Sequence, residues 1–232
     1  MAKFLGRWLW RLLLISFSVA LLYLTWILLH IIYWHTCNPH TSAFMQNRLE
    51  ILRQHHPGAT IRHQWVAYEH ISSHLKRAII ASEDSQFMKH NGFDFQSIQH
   101  ALEKNIKQGK WVVGGSTISQ QLAKNLFLSD KKTVWRKFEE MIITIMLENI
   151  MSKRRILEIY LNMIEWGHNV YGAEAAALHY FGVSASALTA RQAAYLASMV
   201  PDPRHYEYNR QAQKLLKKSN IILGRMPLSQ IP

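Results

Sequence analysis

The sequence predicts a mainly α-helical protein: one membrane-spanning helix followed by a single helical domain. Three observations lead there. From Leu12 to Trp34 there is no Asp, Glu, Lys or Arg, and Leu, Ile, Val, Phe, Tyr and Trp dominate; a helix needs roughly 20 such residues to cross a bilayer core. Beyond that run, apolar residues return at helical spacing in segment after segment, and alternating patterns are scarce. Helix-start signals punctuate those segments: Thr117-x-x-Gln120 and Thr189-x-x-Gln192 are capping boxes, and Ser152 stands before a helix beginning at Lys153.

The apolar run reads as a retained anchor. A cleaved signal peptide has an apolar core of about 7–15 residues ending in small side chains, whereas this run ends Ile32-Tyr33-Trp34-His35-Thr36-Cys37. Lys3, Arg7 and Arg11 precede it, so the positive-inside rule predicts a cytoplasmic N-terminus and an external remainder. Trp8, Trp10, Tyr33 and Trp34 fit the two aromatic belts. The expected layout is a basic N-terminus over 1–11, the span over 12–34, a polar, histidine-rich connector over 35–59, the compact domain over 60–224 and a tail over 225–232. No room is expected for a second catalytic domain.

Within the external part, a short helix is expected from Ser42 to Arg53, an extended piece from Ile61 to Tyr68, and a helix from Ile71 to Ser82 with Ile71, Leu75, Ile79 and Ile80 on one face. Further helices are expected at Phe95–Lys107, Thr117–Phe127, Lys131–Ser152, Lys153–Ile164, Gly172–Phe181, Thr189–Met199 and Asn209–Leu223, with Pro201 and Pro203 ending the penultimate one.

Charge narrows the partner. Lys and Arg number 27 against 15 Asp and Glu, a formal net charge of +12, and basic surfaces bind phosphates of any origin. A domain outside the cytoplasm argues against nucleic acid; an anionic membrane surface or a phosphate-bearing lipid fits both the charge and the anchor. Cys37 is the only cysteine, which rules out an internal disulfide and a thiolate zinc cluster. The 13 histidines contain no His-Glu-x-x-His, so no protein-built metal site is readable. Ser73-x-x-Lys76 and Ser129-x-x-Lys132 match a penicillin-binding pattern, but neither has its Ser-Asp-Asn or Lys-Thr-Gly companion.

Four segments carry chemistry. Gly114-Gly115-Ser116-Thr117 turns into a helix bearing Gln120, Gln121, Lys124 and Asn125; the spacing places amides and an ammonium on neighbouring parts of one surface, and free N–H groups at such a start favour an anion. The same spacing also suits an ordinary amphipathic helix. Glu83-Asp84 closes an apolar helix, where desolvation and mutual repulsion separate two carboxyl pKa values and suit one to be a base; a solvated helix end reads equally from this segment alone. Glu140 follows Arg136 and Lys137 at the entry to an apolar run, as a catalytic acid or as half of a structural ion pair. Lys153, Glu158 and Asn162 lie on a helix expected to be scaffold, its polar face either backing the cleft or facing solvent.

Taken together, Glu83-Asp84-x-x-Phe87-x-x-His90-x-Gly92-x-Asp94, Gly114-Gly115-Ser116-Thr117-Ile118-x-Gln120-Gln121-x-x-Lys124-Asn125, Arg136-Lys137-x-x-Glu140 and Lys153-x-x-Ile156-Leu157-Glu158-x-Tyr160-Leu161-Asn162 resemble, in order, the motifs of peptidoglycan glycosyltransferases. The resemblance covers about Ile61 to Pro203 and is to the monofunctional members, which lack a transpeptidase domain. It implies a lysozyme-like helical fold in a bacterial inner membrane and polymerisation of lipid II into glycan strands. By resemblance Glu83 is the general base and Glu140 the second essential acid. Asp84, Phe87, His90, Gly115, Ser116, Thr117, Gln120, Gln121, Lys124, Asn125, Arg136 and Lys137 would bind substrate, with Lys153, Glu158 and Asn162 behind them. The resemblance allows a divalent cation, Mg or Mn, with the substrate pyrophosphate, and leaves room for cell-wall synthesis or division proteins as partners. Residues 95–113, with Lys104, Lys107, Lys110 and Trp111 and glycines at 109 and 114–115, are expected to form a mobile flap near the membrane. A lytic glycosidase on the same framework and a tethered wall-binding protein are the alternatives; a hydrolase has no need of the cationic Gln-Gln-x-x-Lys helix.

Overall fold

The structure, a computed structural model, describes residues 2–109, 115–131 and 133–232. It divides into two units, Met1–Asn38 and Pro39–Pro232. In the first, one helix (α1, Ala2–Thr36) runs past both edges of the uncharged stretch, and its residues Arg7–Thr36 are long and apolar enough to cross a membrane. Its polar side chains bond back to their own helix, Thr25 Oγ1 donating to Leu21 O at 2.8 Å and His30 Nδ1 lying 2.9 Å from Trp26 O.

In the second unit, α2 (Ala43–His55) begins at Ser42, whose hydroxyl accepts from Met45 N. After a two-residue strand (β1, Arg62–His63) comes α3 (Ser73–Glu83), which buries Leu75, Ala78, Ile79 and Ile80. Next are α4 (Phe95–Gln108), α5 (Ile118–Phe127), α6 (Val134–Ile150) and α7 (Lys153–Met163). Two short strands, β2 (Glu165–Gly167) and β3 (Val170–Tyr171), lead to α8 (Ala173–Phe181), α9 (Ala190–Met199), α10 (Pro203–Tyr208) and α11 (Gln213–Arg225). The helix α9 packs between α3 and α11, while α5 packs against α2, α6 and α7. The core around them contains Leu122, Ile143, Leu147, Ile156, Tyr160 and Trp166, all fully buried. The mainly α class is as the sequence predicts, and both capping boxes form, at Thr117 and at Thr189.

Four expectations are corrected or cut short. A three-stranded sheet of order β1-β3-β2 is present, with β1 parallel to β3 and β2 antiparallel to it. Its strands of two or three residues are too short to show alternation, and its tight turn uses Asn169 at φ 60° rather than a glycine. The helix expected from Lys131 starts at Val134, because Thr133 caps it by accepting from Arg136 N at 3.1 Å. Pro203 does not end a helix but opens α10 at its first turn, where its missing N–H costs nothing, so α11 starts four residues later than expected. Of the flap expected over 95–113, the stretch Phe95–Gln108 is a regular helix ended by Gly109 in the left-handed region, and 110–114 lie outside the described residues.

The C-terminal end of this unit ties to the helix that carries Glu83 and to the segment before it. Arg77 Nη1, on α3, donates to Ser229 O at 2.5 Å, and Tyr68 OH donates to Pro232 O at 2.7 Å. Residues 66–68 are in turn fixed by α7, where Asn162 exchanges two 2.9 Å bonds with Val66 and Glu158 Oε1 accepts from Tyr68 N at 3.0 Å.

Candidate active site

Glu83 is the last residue of α3, since Asp84 leaves helical geometry while its N–H still bonds Ile80 O. The rigid, buried helix thus delivers one carboxylate at its very end. Ser82 Oγ donates to Glu83 Oε1 at 2.8 Å, Gln121 Nε2 donates to Oε2 at 3.1 Å, and Lys218 Nζ on α11 stands 3.7 Å from Oε1. Gln121 is itself oriented: Tyr160 OH donates to its Oε1 at 2.8 Å, which turns the amide NH2 toward Glu83. Complete burial, reinforced by Glu83 and Asp84, pushes the Tyr160 hydroxyl far above its usual range, so it remains a donor throughout the physiological pH range. Burial pushes Lys218 down, against the pull of Glu83.

Asp84, the neighbouring carboxylate, is fully occupied. Its Oδ2 accepts from Ile118 N at 3.0 Å, and His90 Nε2 lies 2.9 and 3.1 Å from its two oxygens. Gly92 N donates to His90 Nδ1 at 3.2 Å, which leaves the ring proton on Nε2, facing Asp84. The N-terminus of α5, expected to hold a ligand anion, therefore holds an anion of the protein. The helix dipole favours a carboxylate there, and Asp84 is the carboxylate the fold brings. Thr117 N donates to Gln120 Oε1 at 3.1 Å, Gln120 N returns to Thr117 Oγ1 at 3.3 Å, and Thr117 Oγ1 donates to Gly92 O at 2.6 Å. Gly92 sits at φ +89°, and a Cβ there would lie 2.8 Å from Thr144 Cγ2, so no side chain fits.

Five of the residues expected at the substrate have partners within the protein. Asp84, His90, Thr117 and Gln120 are spent on one another, and Phe87 is wholly buried beneath the Lys153 ammonium, 4.6 Å from its ring centre. These five join the segment after α3 to the start of α5. They hold Glu83 and Gln121 together, and two of them, Asp84 and Thr117, also line the cleft beside Glu83.

The cations gather at the start of α6. Glu140 is buried, with Arg136 Nη1 donating to one oxygen at 2.7 Å and Lys137 Nζ to the other. Lys137 Nζ also lies 3.4 Å from Ser116 Oγ, and Ser116 lines one cleft of about 310 Å3 together with Glu83, Ser82, Gly115 and Thr117. The cation cluster thus reaches, through Ser116, the cleft that Glu83 lines. Gly115 allows this wall to close: its position is so near α4 that a Cβ would stand 3.1 Å from Ile98 Cα. Arg136 Nε is buried with no hydrogen-bond partner among the described residues, a donor that a ligand oxygen would satisfy. Lys124 and Asn125 are half-buried on α5, one turn beyond Gln121. Gly114 lies outside the described residues. Among the described residues no cluster of three metal-ligating side chains occurs.

Behind the site, Glu148 accepts from Ser119 Oγ and, at 2.8 Å, from Lys153 Nζ, tying α5, α6 and α7. Lys153 thus joins α7 to Glu148 on α6, whereas Glu158 and Asn162 hold residues 66–68. Sequence reasoning missed Lys218, Tyr160 and Glu148, and on the cleft wall Asp94, Ser97, His100 and Arg225. Asp94 caps α4 by accepting from Ser97 N and Oγ at 2.9 and 2.5 Å; burial acts to raise its carboxyl, but those bonds prevail and hold it below the usual range. The Asp-x-x-Ser pattern before an apolar helix was the available signal for it.

Comparison with known proteins places this geometry in context. The Transglycosylase family model matches residues 50–227. The biosynthetic peptidoglycan transglycosylase of Nitrosomonas europaea is 60% identical over 230 residues, covering 99% of this chain and 94% of the relative. Those of Nitrosomonas eutropha and Nitrosospira multiformis are each 59% identical, over 98% and 99% of this chain and 93% and 100% of theirs.

Proposed function

The chain belongs to the transglycosylase family and is a peptidoglycan glycosyltransferase, and from that premise we propose that it polymerises lipid II into β-1,4-linked glycan strands with Glu83 as general base. The carboxylate takes the proton of the acceptor's 4-hydroxyl as that oxygen attacks the donor's anomeric carbon. The bond to pyrophosphate breaks, polyprenyl pyrophosphate departs with the electron pair, and the configuration inverts from α to β. A base works only within hydrogen-bond reach of its proton, and two donors, with the Lys218 ammonium 3.7 Å away, fix where Glu83 stands.

The observation that carries this reading is the single cleft shared by Glu83 and, through Ser116, by the Lys137–Glu140–Arg136 cluster. Negative charge grows on the leaving pyrophosphate, and preorganised cations stabilise it most where water is scarce. The unpartnered Arg136 Nε supplies a donor for a phosphate oxygen. A hydrolase would release no pyrophosphate and would leave these cations without a task. Glu140, with both oxygens turned to cations of the protein, suits the holder of that cluster rather than an acid in the reaction or a ligand of a divalent ion. Mg or Mn, where required, would come with the substrate pyrophosphate and add positive charge there.

Membrane association follows the same logic. The chain has one N-terminal helix fit to cross a membrane, read as a single anchor in a bacterial inner membrane with the N-terminus cytoplasmic and the enzyme outside. Within the domain, Phe95, Leu102 and Ile106 on α4 and Val134, Trp135 and Phe138 on α6 are exposed. Apolar helix faces of this kind lie in a bilayer interface, where lipid II is met. No transpeptidase activity is expected.

Purified protein mixed with labelled lipid II tests the reading. Formation of polymer supports it; no polymer, with cleavage of preformed strands, overturns it in favour of a lytic enzyme.

A further inference from the structure

A second cavity, of about 380 Å3, opens beside the first, between the turn after α3 and residues 225–230. Ala81, Ser85 and Arg225 line both, so the two cavities adjoin, with Glu83 on the first cavity's side of the shared wall. The size falls within the range of about 300–1,000 Å3 typical of ligand sites. Its lining combines apolar surface from Met88 and Leu228, amides from Gln86 and Gln230, and the cations Lys89 and Arg225. Among the described residues neither cation pairs with a carboxylate, in contrast to Arg136, Lys137 and Lys153. A pocket with two unanswered positive charges, amide donors and acceptors, and apolar patches is complementary to a short anionic peptide.

We propose that this cavity receives the peptide branch of the acceptor lipid II, with Lys89 and Arg225 meeting its carboxylates. The inference rests on the polymerase reading above. The acceptor is assigned because its 4-hydroxyl must stand at Glu83, and the shared wall lies beside Glu83. The donor's pyrophosphate belongs at Lys137, which reaches the cleft through Ser116, and Ser116 is absent from the second cavity's lining. Docking the peptide here fixes the rotation of the acceptor disaccharide before the base acts, a use of remote binding energy for orientation.

The full chain, assayed on lipid II with its natural peptide and on lipid II whose peptide carboxylates are amidated, tests this. In Lys89→Glu, a change at an exposed position, the ratio of kcat/KM for natural over amidated substrate is expected to fall by about five- to tenfold, through KM rather than kcat. Lys89→Gln should give the same direction at smaller size. An unchanged ratio, or equal losses on both substrates, overturns the inference while leaving the polymerase reading intact. A wild-type chain that polymerises neither substrate overturns that reading and this one with it.

Discussion

Glu83 lines the cleft and Glu140 stands behind it, joined to the cleft through Lys137 and Ser116, and their surroundings differ in kind. Glu83 takes two hydrogen bonds from neutral donors, with the nearest cation 3.7 Å away. Glu140 faces two cations, one on each oxygen, and is almost wholly buried. A carboxylate in the first setting keeps a lone pair available for an incoming proton. In the second, both oxygens are committed, and protonation would have to break an ion pair. The difference teaches that identical side chains can divide labour by their partners: in the proposed reading Glu83 acts on the substrate and Glu140 holds the groups that do.

The largest test of that division is Glu83→Gln, which keeps the shape and removes the base. Polymerisation of labelled lipid II, followed on gels, should fall by about 10²–10⁴-fold, with the urea unfolding midpoint little changed. Activity near the wild-type level would end the comparison. Arg136→Met should cost both rate and fold. Glu140 keeps one cation instead of two, and the lost charge-assisted bond lowers unfolding free energy by about 1.5–3 kcal/mol, while phosphate stabilisation drops kcat by about 10²-fold. A stable but inactive variant would show Arg136 serving the substrate alone.

Asp84→Ala sharpens the contrast from the structural side. It strips Ile118 N and His90 of their acceptor, so stability should fall by about 1–3 kcal/mol by chemical denaturation, with activity lost through a loosened Glu83–Gln121 pair. Tyr160→Phe removes one bond that orients Gln121; a loss in kcat of up to about tenfold is expected, and no loss would mean that Gln121 needs no guide. The smallest effect concerns pH. Since burial lowers the Lys218 pKa, its ammonium is neutralised at a lower pH than that of an exposed lysine, and activity that depends on this cation declines as pH rises through that value. Lys218→Arg, which stays charged, should leave neutral-pH rates nearly unchanged and move the alkaline limb of the pH–rate profile upward.

The helical class, the long apolar N-terminal helix and most helix starts were legible because caps and apolar spacing are local signals. Thr117, Ser152 and Thr189 all cap as their spacing predicts. The sheet was not legible, its strands being two or three residues long. At the site, residue types were readable but their assignments were not. Asp84 and Ile118 are 34 residues apart, and nothing in either segment says that this carboxylate, rather than a substrate phosphate, will occupy the start of α5. Gln120 and Gln121 look alike in sequence, yet one closes a capping box and the other bonds Glu83. Lys218 arrives from α11 through the packing of α9 between it and α3, a tertiary fact without a local trace.

The bonds from Arg77 to Ser229 and from Tyr68 to Pro232 have a consequence for synthesis. Residue 83 leaves the ribosome well before residue 229, on the order of 10 s earlier at ordinary elongation rates. During that interval α3 carries its carboxylate without the backbone carbonyls that later hold its flank, and α11 with Lys218 has not yet been made. A chain stalled short of Ser229 therefore carries the long apolar helix, Glu83 and the cations of α6, but not the clamp on the helix that ends in Glu83. Translation order separates emergence of the apolar helix from completion of the site.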